Sequence, residues 1–143
     1  MVPEINYWSV ILATLAGTVV GAIWYGPKTF GPRWARLARV VTDRPKGSAV
    51  IAIGVSTLVT FATAWVLAGA TTIAWHFYAG SYLWAAIVTA VLLWAGFTAA
   101  RVITHDGFEG RPSSLTVITI GYELTVAVVM AVIIGVWPPA GTV

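Results

Sequence analysis

The sequence contains no cysteine and very few charged residues. Without cysteine, the chain can form no disulfide, no thiolate metal site and no thiol nucleophile. Asp, Glu, Lys and Arg make up 9% of the 143 residues, and hydrophobic residues make up 59%. Soluble domains carry about 25% charged residues, so this chain cannot cover a globule with polar side chains. The composition therefore predicts a protein that is solvated by lipid.

Four apolar segments are long enough to cross a bilayer, which takes roughly 20 residues in a helix. They cover residues 7–25, 48–70, 81–103 and 115–137. Four strands could not close a barrel, and an open sheet would leave unpaired backbone groups in lipid. We therefore predict an all-α integral membrane bundle of four transmembrane helices that forms a single domain over residues 1–143.

The basic residues are distributed unevenly between the two sides of the predicted bundle. All eight Lys and Arg residues fall in or beside the loops after the first and third spans, and MVPEIN, TTIAWHFYAG and PPAGTV on the other side contain none. Basic loops stay in the cytoplasm, so both termini should lie outside it, in a bacterial plasma membrane. MVPEIN carries Glu4 and no basic residue, which argues against a cleaved signal peptide. The basic residues thus indicate topology, and we expect no nucleic-acid partner.

The stretch GPKTFGPRWARLARVV after the first span predicts a short helix at the membrane interface. Gly26 and Pro27 should end the first helix, and Pro32 suits the first turn of the next one. Residues 32–41 are amphipathic, with Trp34, Leu37, Ala38 and Val41 opposite the arginines. The alternative is that the segment serves only to orient and anchor the chain. The predicted contacts to anionic headgroups on the cytoplasmic side are Lys28, Arg33, Arg36 and Arg39.

Two runs of the sequence resemble the bacterial membrane-protein family catalogued as domain of unknown function 1761. The residues that carry the resemblance in NYWSVILATLAGTVVGAIWYGPKTFGPRW are Asn6, Gly21, Trp24, Tyr25, Gly26, Phe30, Gly31 and Trp34. Those in FEGRPSSLTVITIGYELTV are Phe108, Arg111, Pro112, Gly121 and Tyr122. The resemblance implies a compact four-helix membrane protein and no particular activity. The family usually has an Asn shortly before the Gly-Tyr pair, where this chain has Thr119, so no role of that Asn can be transferred.

Small residues form seams on two of the predicted spans. Seams of this kind let helices approach closely, either within one chain or between two subunits. The first seam consists of Ala13, Gly17 and Gly21. The second consists of Ser56, Thr60 and Thr63, whose hydroxyls should bond to their own helix, with a solute path as the alternative.

Glu123 is the one charged residue far from both predicted membrane surfaces. It lies eight residues after Leu115, or ~12 Å at a rise of 1.5 Å per residue, close to the bilayer centre. We expect a carboxyl at that depth to be protonated at neutral pH, as proton-coupled exchange requires. The candidate proton or ion site comprises Glu123 with Thr119 and Thr116 on the same face. The alternative is a neutral Glu that hydrogen-bonds to Ser or Thr of a neighbouring helix and serves packing alone.

The other polar residues give weaker signals. Arg101 is predicted near the cytoplasmic surface, which its side chain can reach. In the loop THDGFEGRPSS, His105, Asp106, Glu109 and Arg111 should be solvated, with a metal or catalytic site as the alternative. Ser113 or Ser114 should cap the fourth helix, and His76 should be structural. No phosphate loop, catalytic order or cofactor fingerprint is present in the sequence, so we expect neither an enzyme nor a cofactor.

The sequence leaves more than one function open. The main prediction is a structural or accessory protein that acts by helix packing in a homo-oligomer or larger membrane complex. The alternative is a homo-oligomeric transporter or channel for ions, protons or small solutes that uses Glu123. An enzyme acting on lipid through the loop after the third span is a remote third hypothesis.

Overall fold

The computed structural model describes residues 3–40 and 46–141 of the chain, and all regular structure in these residues is helical. Four helices are long and apolar enough to cross a membrane, which confirms the prediction of an all-α chain with four spanning helices. The elements are α1 (Tyr7–Trp24), α2 (Gly31–Leu37), α3 (Lys46–Tyr78), α4 (Tyr82–Leu93), a π-helical segment (Trp94–Ala99), α5 (Ala100–Phe108) and α6 (Ser113–Val136). The π segment joins α4 and α5 into one continuous helix.

The four long helices form a ring in which each contacts two neighbours. α6 packs against α1 on one side and α4 on the other, and α3 closes the ring by contacting α1 and α4. The core lies in the half of the bundle that contains Asn6 and Trp137, here called the terminal end. The opposite end, with Lys28, Arg33 and Arg111, is called the basic end. The buried side chains shared by the four helices are Val10, Ala13, Ala64, Leu67, Ala86, Ala90, Met130 and Ile134.

Helix α3 is longer than the sequence predicts. The predicted span ends at residue 70, but the helix continues to Tyr78 and stops only where Ala79 and Gly80 take positive φ angles of 54° and 91°. Thr72 does not interrupt it, because the Thr72 hydroxyl donates to the Glu4 carbonyl at 2.8 Å and lies 2.9 Å from the Tyr82 hydroxyl. The apolar part of α3, 29 residues long, measures ~43 Å, the thickness of a bilayer with its headgroup regions.

The helix after the turn at Ala79 and Gly80 also exceeds its predicted limits. It was expected to end at residue 103, yet it runs through the π segment to Phe108. His105 and Asp106 are therefore helical, and the predicted loop shrinks to the residues between Phe108 and Ser113. Arg101 lies about two turns inside the helix, although its side chain is exposed.

The short helix α2 differs from the predicted amphipathic helix. It ends at Leu37 instead of residue 41, and Arg39 follows in a left-handed conformation with φ 50°. Arg39 therefore does not continue the helical face of Arg33 and Arg36. The apolar side does not face lipid as predicted, because Trp34 packs edge-on against Tyr25 with ring centroids 5.1 Å apart. Residues 41–45 lie outside the described part of the chain.

The start of α6 corrects one further prediction. Pro112 occupies the N-cap position, and neither Ser113 nor Ser114 caps the helix. Both serines lie in its first turn instead. The end of α6 at Val136 is one residue short of the predicted limit.

Candidate functional site

A cavity of about 570 Å³ lies between α3, α4, the π segment and α6. We call it the Glu123 cavity. Its floor is α6, and no residue of α1 contributes to it. Among the residues that line it are Val59, Thr63, Val66, Trp94, Phe97 and Glu123.

Glu123, the main candidate from the sequence, lines this cavity near the middle of α6. It is the eleventh residue of α6, ~15 Å from the start of a helix that spans a ~30 Å hydrocarbon layer. Its side chain is half-buried and makes no hydrogen bond or ion pair with any residue in 3–40 or 46–141. The alternative in which Ser or Thr of a neighbouring helix holds this carboxyl therefore has no counterpart among the described residues.

Thr119 and Thr116 do not share the Glu123 cavity. Thr119 lines a second cavity, of about 530 Å³, and its hydroxyl donates to the Leu115 carbonyl of its own helix at 3.1 Å. Thr116 donates to the Asp106 carboxylate at 2.7 Å. The predicted site of Glu123, Thr119 and Thr116 is therefore not one site. Glu123 and Thr119 line different cavities, and among the described residues these cavities share only Phe97 and Thr98.

The second cavity, called the basic cavity, lies at the basic end between α5, α6 and α2. Arg101, His105, Asp106 and Arg111 line it. Arg111 pairs with Glu109, and its Nε lies 3.8 Å from Asp106. Asp106, predicted as a solvated loop residue, is buried and joins α5 to α6 through Thr116. Among the described residues, no three His, Asp or Glu side chains lie close enough to hold a metal ion.

Most residues of the family-like motif converge where the basic end of α1 meets α6, whereas Asn6 lies at the terminal end. Tyr25 lies between two rings, with Trp34 at 5.1 Å and Tyr122 at 5.0 Å. Trp24 packs against Phe30 at 4.6 Å and faces Tyr122 at 6.3 Å. The Trp24 indole nitrogen is buried without a partner among the described residues. The sequence pattern marked these residues but did not reveal that they touch.

Burial has one clear electrostatic effect outside the spans. It raises the pKa of the Tyr25 phenol to about 12, and the nearby Tyr122 and Glu123 add to the rise. The proton therefore stays on Tyr25 throughout the neutral range, and this ring contributes a neutral phenol to the cluster.

Glycines permit the close approach of this cluster. A Cβ on Gly21 would lie 3.0 Å from the Tyr122 hydroxyl, and one on Gly121 would lie 3.5 Å from the Trp24 ring. A Cβ on Gly31 would overlap the Tyr25 carbonyl oxygen. Gly26 ends α1 here, where the Thr29 hydroxyl lies 2.8 Å from the Trp24 carbonyl.

The small-residue seam of α1 faces other helices of the same chain. Ala13 is fully buried, and a Cβ on Gly17 would meet Met130 of α6 at 2.7 Å and Thr60 of α3 at 3.1 Å. On α3, Thr63 donates to its own helix through the Val59 carbonyl at 3.0 Å. Ser56 is exposed.

His76 belongs to a different region from the cavities. Its Nδ1 donates to the Thr72 carbonyl at 2.8 Å, and its ring packs edge-on against Trp75 at 5.0 Å. This places it at the terminal end of α3, far along the helix from Val59 and Thr63.

Sequence reasoning missed the π segment, which supplies one wall of the Glu123 cavity through Trp94 and Phe97. π-helical turns occur often at functional sites. Gly96, inside an otherwise helical pattern, was the only signal for it in the sequence. The Trp94 indole N–H donates to the Ile120 carbonyl at 2.9 Å and so fixes the segment against α6.

Comparison with known proteins supplies a family and no activity. No curated protein and no solved structure matches the sequence. The profile of one family, described as protein of unknown function (DUF1761), matches residues 8–135, which cover the four spanning helices except for the first residue of α1 and the last of α6. The chain is therefore a multi-pass membrane protein that belongs to the DUF1761 family.

Proposed function

We propose that this protein is a carrier, and not an enzyme, that moves a small solute across the membrane in exchange for protons at Glu123. One observation supports the proposal most strongly. Glu123 lies about midway along α6, opens into a cavity of about 570 Å³ and has no hydrogen-bond or ion-pair partner among the described residues. A carboxyl that served packing alone should be hydrogen-bonded, and ionisable groups at this depth are usually functional.

A single chain of this size requires a second copy to act as a carrier. Four helices offer no enclosed path, and the Glu123 cavity is bounded by α3, α4, the π segment and α6 only. In the proposal, a homo-oligomer completes the wall and two Glu123 cavities lie on either side of the contact.

Proteoliposomes that trap a pH dye test the carrier role. Fractionated extracts of small metabolites are added outside under a potassium-diffusion potential, and internal pH is recorded. Wild-type protein should move protons with an active fraction, Glu123→Gln should not, and the exposed-acid control Glu109→Gln should match the wild type. Equal proton movement in wild type and Glu123→Gln would overturn the proposal.

A second candidate function, that of an accessory subunit, is favoured by the basic half of α3. Residues 50–56 are all exposed, and nothing lies within 4 Å of a Cβ placed on Gly54. This segment could pack against a helix of a partner protein. The chain has no cysteine, so single cysteines at positions 50–56 give a clean cross-linking scan in native membranes. A helical stripe of adducts to another protein supports this role, and uniform labelling by lipid-phase reagents with no adduct excludes it.

We also propose that the basic end faces the cytoplasm of a bacterium and that both termini lie outside. Lys28, Arg33, Arg36 and Arg39 are exposed at that end, where anionic headgroups attract basic side chains. Cysteine at position 28 should be labelled only from inside, and cysteine at position 140 only from outside. The reverse pattern would overturn this topology.

A further inference from the structure

The Glu123 cavity has one ionisable group and largely apolar walls. Among the described residues that line it, Glu123 is the only titratable one, and none is Lys, Arg or His. Most of the remaining lining consists of Ala, Val and Leu, with aromatic rings from Trp94 and Phe97. Its volume of about 570 Å³ lies within the ~300–1,000 Å³ range of small-molecule sites.

Two polar side chains in the cavity walls already donate hydrogen bonds to the protein backbone. The Thr63 hydroxyl donates to the Val59 carbonyl, and the Trp94 indole N–H donates to the Ile120 carbonyl. Trp94 therefore offers its ring to a ligand and not its N–H group. A sugar or another polar solute would find only the Thr98 hydroxyl and the Glu123 carboxyl as partners, so most of its own hydroxyls would stay unpaired against the apolar walls, which is costly. An anion would find no basic partner here and would be repelled by Glu123 in its ionised form.

We infer that the Glu123 cavity binds a lipophilic organic cation, held by the Glu123 carboxylate and the rings of Trp94 and Phe97. The inference rests on the proposed carrier function and specifies its substrate class. Charge complementarity selects a cation, the aromatic rings favour it further, and the apolar walls select an organic body over a hydrated metal ion.

The route into the cavity also suits such a ligand. Val59, Val66 and Phe97 line the cavity, and each is more than half exposed on the outer surface of the bundle, Phe97 by 71%. The cavity thus opens sideways into the lipid layer, where lipophilic cations partition.

Binding should displace a proton. The protonated carboxyl gives up its proton when the cation arrives, so one cation enters and one proton leaves. The titratable groups nearest to Glu123 are Tyr122 on α6 and Tyr25 after α1. The groups of the basic cavity, beyond Phe97 and Thr98, are Arg101, His105, Asp106, Glu109 and Arg111. α3 and α4 contribute no titratable group to the cavity.

Equilibrium dialysis of the full chain in lipid nanodiscs tests the inference with two probes of nearly equal shape and opposite charge. Tetraphenylphosphonium should bind and release up to one proton, and tetraphenylborate should not bind beyond its partition into empty nanodiscs. Glu123→Gln should weaken phosphonium binding by at least about tenfold, which is about 1.4 kcal/mol of binding free energy, because the variant offers the cation no carboxylate. Glu123→Asp should retain binding, and Glu109→Gln should be unchanged.

The outcomes separate the inference from the carrier proposal. Equal binding of both probes to the wild-type chain overturns the inference, and so does phosphonium binding without proton release. Neither result depends on whether a variant folds. If neither probe binds while Glu123-dependent proton movement with metabolite extracts persists, the carrier proposal stands and the cation inference fails. Wild-type affinity in a folded Glu123→Gln variant overturns the inference as well.

Discussion

Asn6 and Trp137 are joined across 131 positions of sequence by one hydrogen bond, in which the Asn6 side-chain amide donates to the Trp137 carbonyl at 3.2 Å. The Asn6 Oδ1 atom also caps α1 by accepting from the backbone N–H groups of Trp8 at 3.1 Å and Ser9 at 3.4 Å. One amide therefore fixes both the start of α1 and the end of α6. These two tasks require a donor and an acceptor in the same side chain, which explains why an asparagine suits this position.

Two substitutions separate the tasks of Asn6. Asn6→Ala removes the cap and the link to Trp137, and we expect the free energy of unfolding to fall by about 2 kcal/mol. Asn6→Asp keeps the cap and loses the donor, so the loss should be about half as large. Reversible unfolding in mixed micelles measures both. An aspartate variant as unstable as the alanine variant would show that the link to Trp137, and not the cap, carries the effect.

Gly31 should tolerate no side chain. A Cβ there would overlap the Tyr25 carbonyl oxygen and lie 2.7 Å from the Gly26 carbonyl oxygen, and backbone atoms cannot move aside easily. We expect Gly31→Ala to cost about 3 kcal/mol and to change the fluorescence of Trp34. Gly54→Ala is the matched control, because nothing lies near its Cβ, and it should be neutral or slightly stabilising. Equal stability of the two variants in thermal unfolding would contradict the described turn.

The two threonines at the basic end of α6 should differ in importance. Thr116→Val leaves the buried Asp106 carboxylate without its 2.7 Å donor, which should cost about 1–3 kcal/mol. Thr119→Val removes only a bond within its own helix, so its effect should stay below about 0.5 kcal/mol. Unfolding of both variants under the same conditions gives the comparison. A larger loss for Thr119→Val would contradict the assignment of the polar contact between α5 and α6 to Thr116.

Tyr25 should make the fold sensitive to alkaline pH. The pKa of Tyr25 in the folded protein, about 12, lies above the ordinary value of 10.0. Its contribution to the free energy of unfolding is therefore fully present below pH 10 and is lost as pH rises towards 12. Tyr25→Phe has no proton to lose and should show a smaller decline in stability over that interval. Unfolding measured at several pH values between 9 and 12 tests this. Parallel declines in both proteins would mean that burial of this phenol is not coupled to folding.

The sequence predicted the number and kind of the long helices, because residue composition decides which segments lipid can solvate. It predicted the start of α1 at Tyr7 from the apolar run and the end of α1 near Gly26 from a Gly-Pro pair. It placed the end of α3 too early, at Thr71 and Thr72, because apolar character falls there. Both threonines are buried in the continuing helix, and the Thr72 hydroxyl has partners in Glu4, far away in the sequence, and Tyr82, after the next turn. Such partners are visible only in the fold.

The candidate site could be predicted only in part, because it too depends on contacts that form only in the fold. Glu123 was recognisable from its depth alone, since a carboxyl far from both ends of an apolar segment is unusual. The separation of Glu123 from Thr119 could not be predicted from the sequence. The two residues line different cavities because Phe97 of the π segment lies between those cavities. Asp106 was misassigned to a loop because the sequence around it is Gly-rich. Its hydrogen-bond partner Thr116 could not be predicted either, because the two residues come within reach only after α5 and α6 have packed.

Helix α6 fills the space beside α1, yet it is the last of these helices to leave the ribosome. Met130 is synthesised roughly 110 positions after Gly17, which at ~5–20 residues per second amounts to a delay on the order of ten seconds. During that interval the glycine face of α1 is held in the bilayer without the helix that will cover it. Assembly of the bundle is therefore timed by translation, and a chaperone or insertase that shields α1 would act in this interval.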